Sequence, residues 1–322
     1  MGDQPTETHG PSVVSRLITR RRAIAAGLMG ASIAAVGGRS WAATAGRISD
    51  GASASEPAVR VNPPPSGGFE RGALYVALYG HPGSATLGAL GEQGVDAAIR
   101  RARRVASQYE GFGRPVVPTL EIIATVASSA AGGDGDYSNE YPASKFQPWI
   151  DAAANADTHV VLDLQSGRAT FPSQTVEIEE LLLHRNVSLA LDPEWRVGPR
   201  QRPGGGRVGT VDAAEINQTI DVLDDIVRRA ALPPKMLVVH QFTPSMVTNK
   251  RSVRGTPNVQ VVFQMDGFGT LQLKRNSYEA MLADLPSGAL TGWKNFYDED
   301  SPTPTAAQSL DVDPTPTLIS YQ

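Results

Sequence analysis

The chain has 322 residues, room for one large domain or two small ones, with 41% hydrophobic and 19% charged residues and a formal net charge of −4. It contains no cysteine, which excludes disulfides, thiolate metal sites, a cysteine nucleophile and a lipid-modified cysteine. Setting aside the leader-like first 45 residues leaves 24 basic and 31 acidic residues, a net −7, so nucleic acid is not expected as a partner.

The start reads as an export signal. Thr19-Arg20-Arg21-Arg22-Ala23-Ile24 is a twin-arginine-like charged region, residues 23–38 are weakly apolar, and Ala43-Thr44-Ala45 offers a small-residue cleavage site. The reading is a twin-arginine-type signal peptide over 1–45 that engages the twin-arginine export machinery. The mature protein would begin near Gly46 and be secreted or cell-wall associated. An apolar segment of this length is too short to leave a stable membrane span after cleavage. Residues 46–72, with Pro63-Pro64-Pro65, read as a linker or arm.

From there a pattern repeats. Apolar strand-like runs are predicted at 74–79, 116–123, 159–164, 187–191, 236–239, 259–265, 289–292 and 317–320. Predicted helices lie between many of them, at 92–109, 146–155, 173–184, 213–231 and 271–285. Strands separated by helices imply parallel crossovers, and eight such units in about 250 residues give a (β/α)8 TIM-like barrel. Residues 73–322 are therefore read as one barrel domain. Its fifth and seventh helices look short and no eighth helix follows the last strand, a gap the arm is expected to cover. Gly111 and Gly113 precede a strand rather than open a helix, so they do not form a phosphate loop.

The most informative stretch is Val187 to Trp195, VSLALDPEW. Proline cannot continue a ladder, so the strand should stop at Asp192 and release two carboxylates and an indole at its C-terminal end. In a parallel barrel that is the ligand-binding face. The other strand ends would bring Glu121, Asp163, Gln165, His240, Gln264, Asp266, Trp293, Lys294, Tyr297 and Asp298 to the same mouth, with Tyr321 and Gln322 beside them. Acids, amides and aromatics together suit a carbohydrate: rings stack on sugars, amides hold hydroxyls, and two carboxyl groups cleave the glycosidic bond. Glu194, beside Trp195, is the expected general acid, and Asp266 the second carboxylate, with Asp192 as a supporting or partner acid. Asp163, Gln165, Trp195, His240, Gln264, Trp293, Lys294, Tyr297 and Asp298 are the expected substrate-binding set. Glu121, an acid inside an apolar run, is expected to point inward toward Lys294 or His240 in a structural role. No metal or cofactor is expected. Asp134-Gly135-Asp136 is read as a plain turn, because the regular twelve-residue calcium loop is absent.

Several of these stretches resemble a family of exported actinobacterial proteins, some of which carry cell-wall-binding repeats. They are LYGHPG (78–83), VLDLQ (161–165), LDPEW (191–195), VHQF (239–242), QMDG (264–267) and GWKNFYDED (292–300). The resemblance implies an extracytoplasmic setting. Asp192-x-Glu194 and Met265-Asp266 also resemble the chitinase-like glycosidase barrels. Those barrels have a longer acidic motif on the fourth strand and a Tyr-Asp pair on the sixth. Here Leu189 and Ala190 stand upstream and Met265 replaces the tyrosine, a departure that counts against substrate-assisted catalysis.

The expected function is a secreted glycoside-hydrolase-like barrel acting on a cell-envelope or environmental polysaccharide. Two alternatives stay open. One is a glycan- or cell-wall-binding barrel without a working carboxylate pair. The other is a metal-dependent hydrolase, which needs His240 to converge with Asp163, Asp192 or Asp266 at ligand distances.

Overall fold

A computed structural model describes residues 67–322. The expected signal peptide and most of the expected linker lie outside the described residues. Eight parallel strands close into a barrel: β1 Leu74–Gly80, β2 Val116–Ala127, β3 His159–Leu164, β4 Val187–Leu191, β5 Lys235–Gln241, β6 Val259–Met265, β7 Leu290–Asn295 and β8 Leu318–Tyr321. Each strand pairs with the next, and β8 closes on β1 through Tyr75–Leu318 to Leu78–Tyr321. The (β/α)8 TIM-like fold read from the sequence is the observed one.

The helices around the barrel are α1 Val95–Ser107, α2 Gln147–Asn155, α3 Phe171–Glu177, α4 Glu179–Leu182, α5 Ala213–Arg229, α6 Leu271–Leu282 and α7 Ala306–Leu310. The sequence of α5 shows why it forms. Ile216, Ile220, Leu223 and Val227 recur at three- and four-residue spacing and are buried on the barrel. Asp212 caps its start by accepting from Ala214 N at 2.9 Å, and Arg228 and Arg229 occupy its last turn. No α-helix stands between β5 and β6, only the short 3-10 turns Pro244–Met246 and Lys250–Ser252. Residues 242–258 run there as turns and a two-residue strand, Val247–Thr248, paired with Val211–Asp212.

Strand alternation sorts the side chains into two layers. One parity (Leu74, Val76, Leu78 on β1; Leu189, Leu191 on β4; Val261, Phe263, Met265 on β6) packs outward against the helices. The other parity fills the lumen. Its lower part is apolar, with Tyr75, Val117, Val161, Met236, Val238, Val262 and Leu318. The described end of the arm closes this floor rather than the gap beside β8: Phe69 stacks on Tyr75 with ring centroids 5.6 Å apart, and its N–H donates to Pro234 O at 2.8 Å. The upper lumen is polar, which is what positions the site.

The lumen is filled tightly enough to make glycine a requirement on β7. A Cβ on Gly292 would meet Gln264 Oε1 at 1.9 Å and Leu318 O at 3.2 Å. Gln264 cannot swing freely aside, because it is buried and its Nε2 donates to Ser320 Oγ at 2.8 Å. Gly292→Ala is therefore expected to destabilise the barrel by about 1–3 kcal/mol in urea unfolding. A loss below a few tenths would show that the amide has room to move.

Candidate functional site

Strand parity on β1, β2, β3, β5 and β7 delivers Tyr79, Glu121, Asp163, His240 and Lys294 to the upper lumen. Asp192 and Asp266 follow the last residues of β4 and β6. The imidazole of His240 is the hub. Its Nδ1–H donates to Asp266 Oδ2 at 2.9 Å, and its Nε2 lies 3.0 Å from Glu121 Oε1 and 3.8 Å from Asp163 Oδ1. The Glu121 approach is an ion-pair contact without the alignment of a hydrogen bond. Lys294 Nζ lies 3.4 Å from the same Asp266 oxygen and 3.6 Å from the centroid of the Tyr79 ring. The Tyr79 hydroxyl donates to Asp163 Oδ2 at 2.8 Å. Glu121 thus points inward to His240, one of the two partners expected for it.

Four carboxyl groups, those of Glu121, Asp163, Asp192 and Asp266, share this buried space with two cationic side chains. An uncompensated buried charge is expensive, so protons must make up the difference. Burial first, then Asp163 and Glu194, holds the Asp192 carboxyl well above the usual carboxylate range. Burial likewise raises Asp163, with Glu121 adding to the effect and His240 opposing it. Burial alone would pull His240 down, but Asp266, Asp163 and Glu121 together hold it well above its ordinary value, as an imidazolium. Burial and the neighbouring carboxyls thus favour the neutral forms of Asp163 and Asp192 and the cationic form of His240.

Asp192 also shapes the turn that follows β4. Pro193–Trp195 is a single 3-10 turn, with proline at its first position and Asp192 Oδ1 accepting from Glu194 N at 3.3 Å. The 196–210 loop returns to hold it: Gly209 N donates to Glu194 O at 2.7 Å and Thr210 N to Arg196 O at 2.9 Å. A side chain at Gly209 would strike three carbonyl oxygens of this turn. Arg196 is paired with Glu215 at 2.8 Å, so this arginine anchors the loop to α5. Glu194 is half-buried beside Asp192, and Trp195 is buried beneath the mouth.

A cleft of about 530 Å³ opens over this lumen. Tyr79, Gln165, Trp195, Tyr297, Asp298 and Gln322 line it, together with Glu92, Arg101 and Glu299. Gln165 Oε1 accepts from Ala127 N at 3.2 Å, fixing the amide at the cleft wall. Tyr297 is half-exposed, 5.6 Å from the Tyr321 ring, with the Arg101 guanidinium 5.1 Å from its centroid. Of the expected binding set, Gln165, Trp195, Tyr297 and Asp298 lie on the cleft. Asp163, His240 and Lys294 lie beneath it in the lumen, and Gln264 is fully buried on Ser320. None of Glu194, Asp192 and Asp266 is among the cleft-lining residues.

Trp293 is a correction. It was expected at the mouth because the seventh strand was expected to end at 292, but β7 continues to Asn295. Parity then turns Lys294 inward and Trp293 outward, where it is 1% exposed and packs on Tyr278 with centroids 5.7 Å apart. Its indole N–H donates to Asn295 Oδ1 at 2.8 Å. It belongs to the core and offers no sugar platform.

Two contributors escaped the sequence reading. Tyr79 lay inside a uniformly apolar run; only its even, four-residue spacing from Tyr75 hinted that both share the lumen face. The second is a buried clamp. Lys274 Nζ on α6 pairs with Asp300 Oδ2 at 2.9 Å and donates to Gly267 O at 2.8 Å and Lys294 O at 2.6 Å. Asp300 in turn accepts from Gly269 N at 3.0 Å and Phe296 N at 2.8 Å. The clamp joins the loop that carries Asp266 to the end of the strand that carries Lys294.

Nδ1 of His240 faces Asp266, and its Nε2 faces Glu121 and Asp163. Among the described residues, the acids whose ligand oxygens all lie within 4.8 Å of one another are Asp134, Asp136 and Glu140, on the 128–141 loop. There Asp134 Oδ1 accepts from Asp136 N and Asp136 Oδ1 from Ser138 N, two successive side-chain turns.

No protein-family model matches the chain, and no curated protein matches it. Solved structures similar to it include the N-terminal domain of a proposed aldolase from Bacteroides vulgatus, at 12% identity and TM-score 0.38, covering 78% of this chain and 72% of that one. A Group IV chitinase from Ostrinia furnacalis in complex with allosamidin has 12% identity and TM-score 0.38, with 71% of each chain covered. A thermostable mutant of a xylanase from Cellvibrio japonicus has 12% identity and TM-score 0.34, with 70% of each covered.

Proposed function

We propose that the chain is a glycoside-hydrolase-type barrel that acts on an extracytoplasmic polysaccharide, with Glu194 as general acid. The observation that carries this reading is a graded row of carboxyl groups. Asp163 is fully buried, Asp192 is 5% exposed and Glu194 is half-buried, just behind the cleft wall. Burial raises the pKa of both inner members, with Glu121 adding to it at Asp163 and Asp163 adding to it at Asp192. An Asp192 carboxyl whose neutral form is favoured can pass its proton to the Glu194 carboxylate, becoming the carboxylate itself, and Glu194 can then protonate a leaving oxygen. Asp266, held by the His240 and Lys294 cations, supplies negative charge in the same lumen. This suits the second-carboxylate role, in which an oxocarbenium-like centre is stabilised or a water is activated. Trp195 and Tyr79 give the cleft apolar surface for a sugar ring, and Gln165 and Asp298 give it polar groups for hydroxyls. The export signal expected over 1–45 would place this chemistry outside the membrane.

One observation favours a second reading. The carboxylates that line the cleft are Glu92, Asp298 and Glu299, with Glu194 and Asp266 set back from it. A glycan-binding barrel would need only the cleft. The two readings separate on a panel of actinobacterial wall polysaccharides and common plant glycans, scored for reducing-end release and for binding. The enzyme reading expects release from at least one of them, with proton NMR of the first product giving the anomeric outcome. Binding without release would leave the cleft as a recognition site, and neither binding nor release would remove both readings.

A further inference from the structure

The connection after β5, which has no α-helix, leaves a space on the barrel flank, on the outer face of β5 opposite the lumen. Between the 242–258 segment and the C-terminal end of α6 lies a cavity of about 290 Å³. Two of its lining side chains are buried with polar capacity unused. Gln241 is 1% exposed, and its Nε2 donates to Thr243 O at 3.0 Å and Pro244 O at 3.3 Å. Those two carbonyls fix which way the amide faces, and they leave Oε1 buried without a donor.

Lys250 is 5% exposed. Its Nζ donates to Met281 O at 2.7 Å and lies 4.3 Å from the centroid of Phe263. Among the described residues no carboxylate oxygen comes within 4.0 Å of it. Asp284, the acid on the cavity wall, is engaged by Arg251 Nε at 2.8 Å. Asp284 reaches Lys250 only through space, and a buried ammonium with no carboxylate in contact is an unfavourable arrangement that an anion in the cavity would relieve. Consistent with this, burial brings Lys250 down to about 8.

We propose that this flank cavity is a binding site for a small hydroxylated oxyanion of the phosphate type. The anion's oxygens would accept from the remaining N–H groups of Lys250 and from Arg251 at the rim, and a hydroxyl on the ligand would donate to Gln241 Oε1. A phosphate group needs only part of the space, so a phosphomonoester of a small polyol fits the same chemistry as the free ion. The site is independent of the glycan cleft, and its failure would leave the proposed activity untouched.

The test follows the thermal midpoint of the full chain while inorganic phosphate is titrated at constant ionic strength against chloride. Glycerol phosphate is titrated in parallel to distinguish an ester from the free ion. A saturable rise is expected with phosphate, with tighter binding of the ester if the extra volume is used. Lys250→Gln should weaken binding roughly tenfold or more, the size of a lost charge-assisted hydrogen bond. Should Lys250→Gln fail to fold, the exposed Arg251→Gln decides, with an expected weakening of about threefold to tenfold. No saturable rise above the chloride control, or a rise that the folded variants leave unchanged, would overturn the proposal.

Discussion

Glu194→Gln is expected to lower glycan release by a factor of about 10² to 10⁴ while leaving glycan binding within a few-fold of wild type. The amide keeps the size and hydrogen-bonding reach of the carboxyl but has no proton to give to the leaving oxygen. Its backbone would stay in place, because the turn is held from both sides: Asp192 accepts its N–H, and Gly209 donates to its carbonyl. Release and binding, measured on the same glycan, separate the loss of chemistry from the loss of the site. Asp192→Asn should fall between the two proteins, since Asn mimics the uncharged state already favoured for Asp192 but cannot pass a proton on. If Glu194→Gln retains more than about a tenth of wild-type release, the acid lies elsewhere. Asp298 and Glu299, which line the cleft directly, would be the next carboxyls to replace.

The parts of this site that the sequence could reveal are those fixed by strand ends. Asp192 and Glu194 were legible because proline at 193 stops a buried strand at a known point, and a stopped strand in a parallel barrel delivers its next residues to one face. His240 and Asp266 were legible for a similar reason, as polar residues closing apolar runs. Trp293 shows the limit. Which way a residue faces depends on parity, and parity requires knowing where the strand stops; an ending placed at 292 hid the alternation that turns Trp293 out and Lys294 in. The Lys274–Asp300 clamp was hidden for a different reason. Its members are 26 positions apart in an amphipathic helix and a loop, and only packing makes a helix lysine buried. The 242–258 connection was visible as a short fifth helix, but the cavity it leaves on the flank was not.

His240→Leu is expected to destabilise the protein by about 3–5 kcal/mol, the range seen when one partner of a buried charged group is removed. The leucine fills much of the ring's space but removes the 3.0 Å cation from Glu121 and the 2.9 Å donor from Asp266, which keeps Lys294 at 3.4 Å. The pH dependence carries the more specific signal. Folding raises the His240 pKa above its ordinary 6.5, so the stabilisation from its charge is fully present below that value. It is lost as pH rises toward the folded-state pKa, because the unfolded histidine has by then already given up its proton. The difference between wild type and His240→Leu, measured by urea unfolding, should therefore be largest near pH 5.5 and shrink at pH 7 and again at pH 8.5. Below about pH 4 it should shrink as well, since protonated carboxyls no longer need a cation. His240→Gln, which can donate to one carboxylate without carrying charge, should recover part of the loss. A difference under about 1 kcal/mol at pH 5.5, or one that does not change with pH, would mean that the lumen carboxyls are satisfied without the imidazolium and that the buried charge balance inferred for the site is wrong.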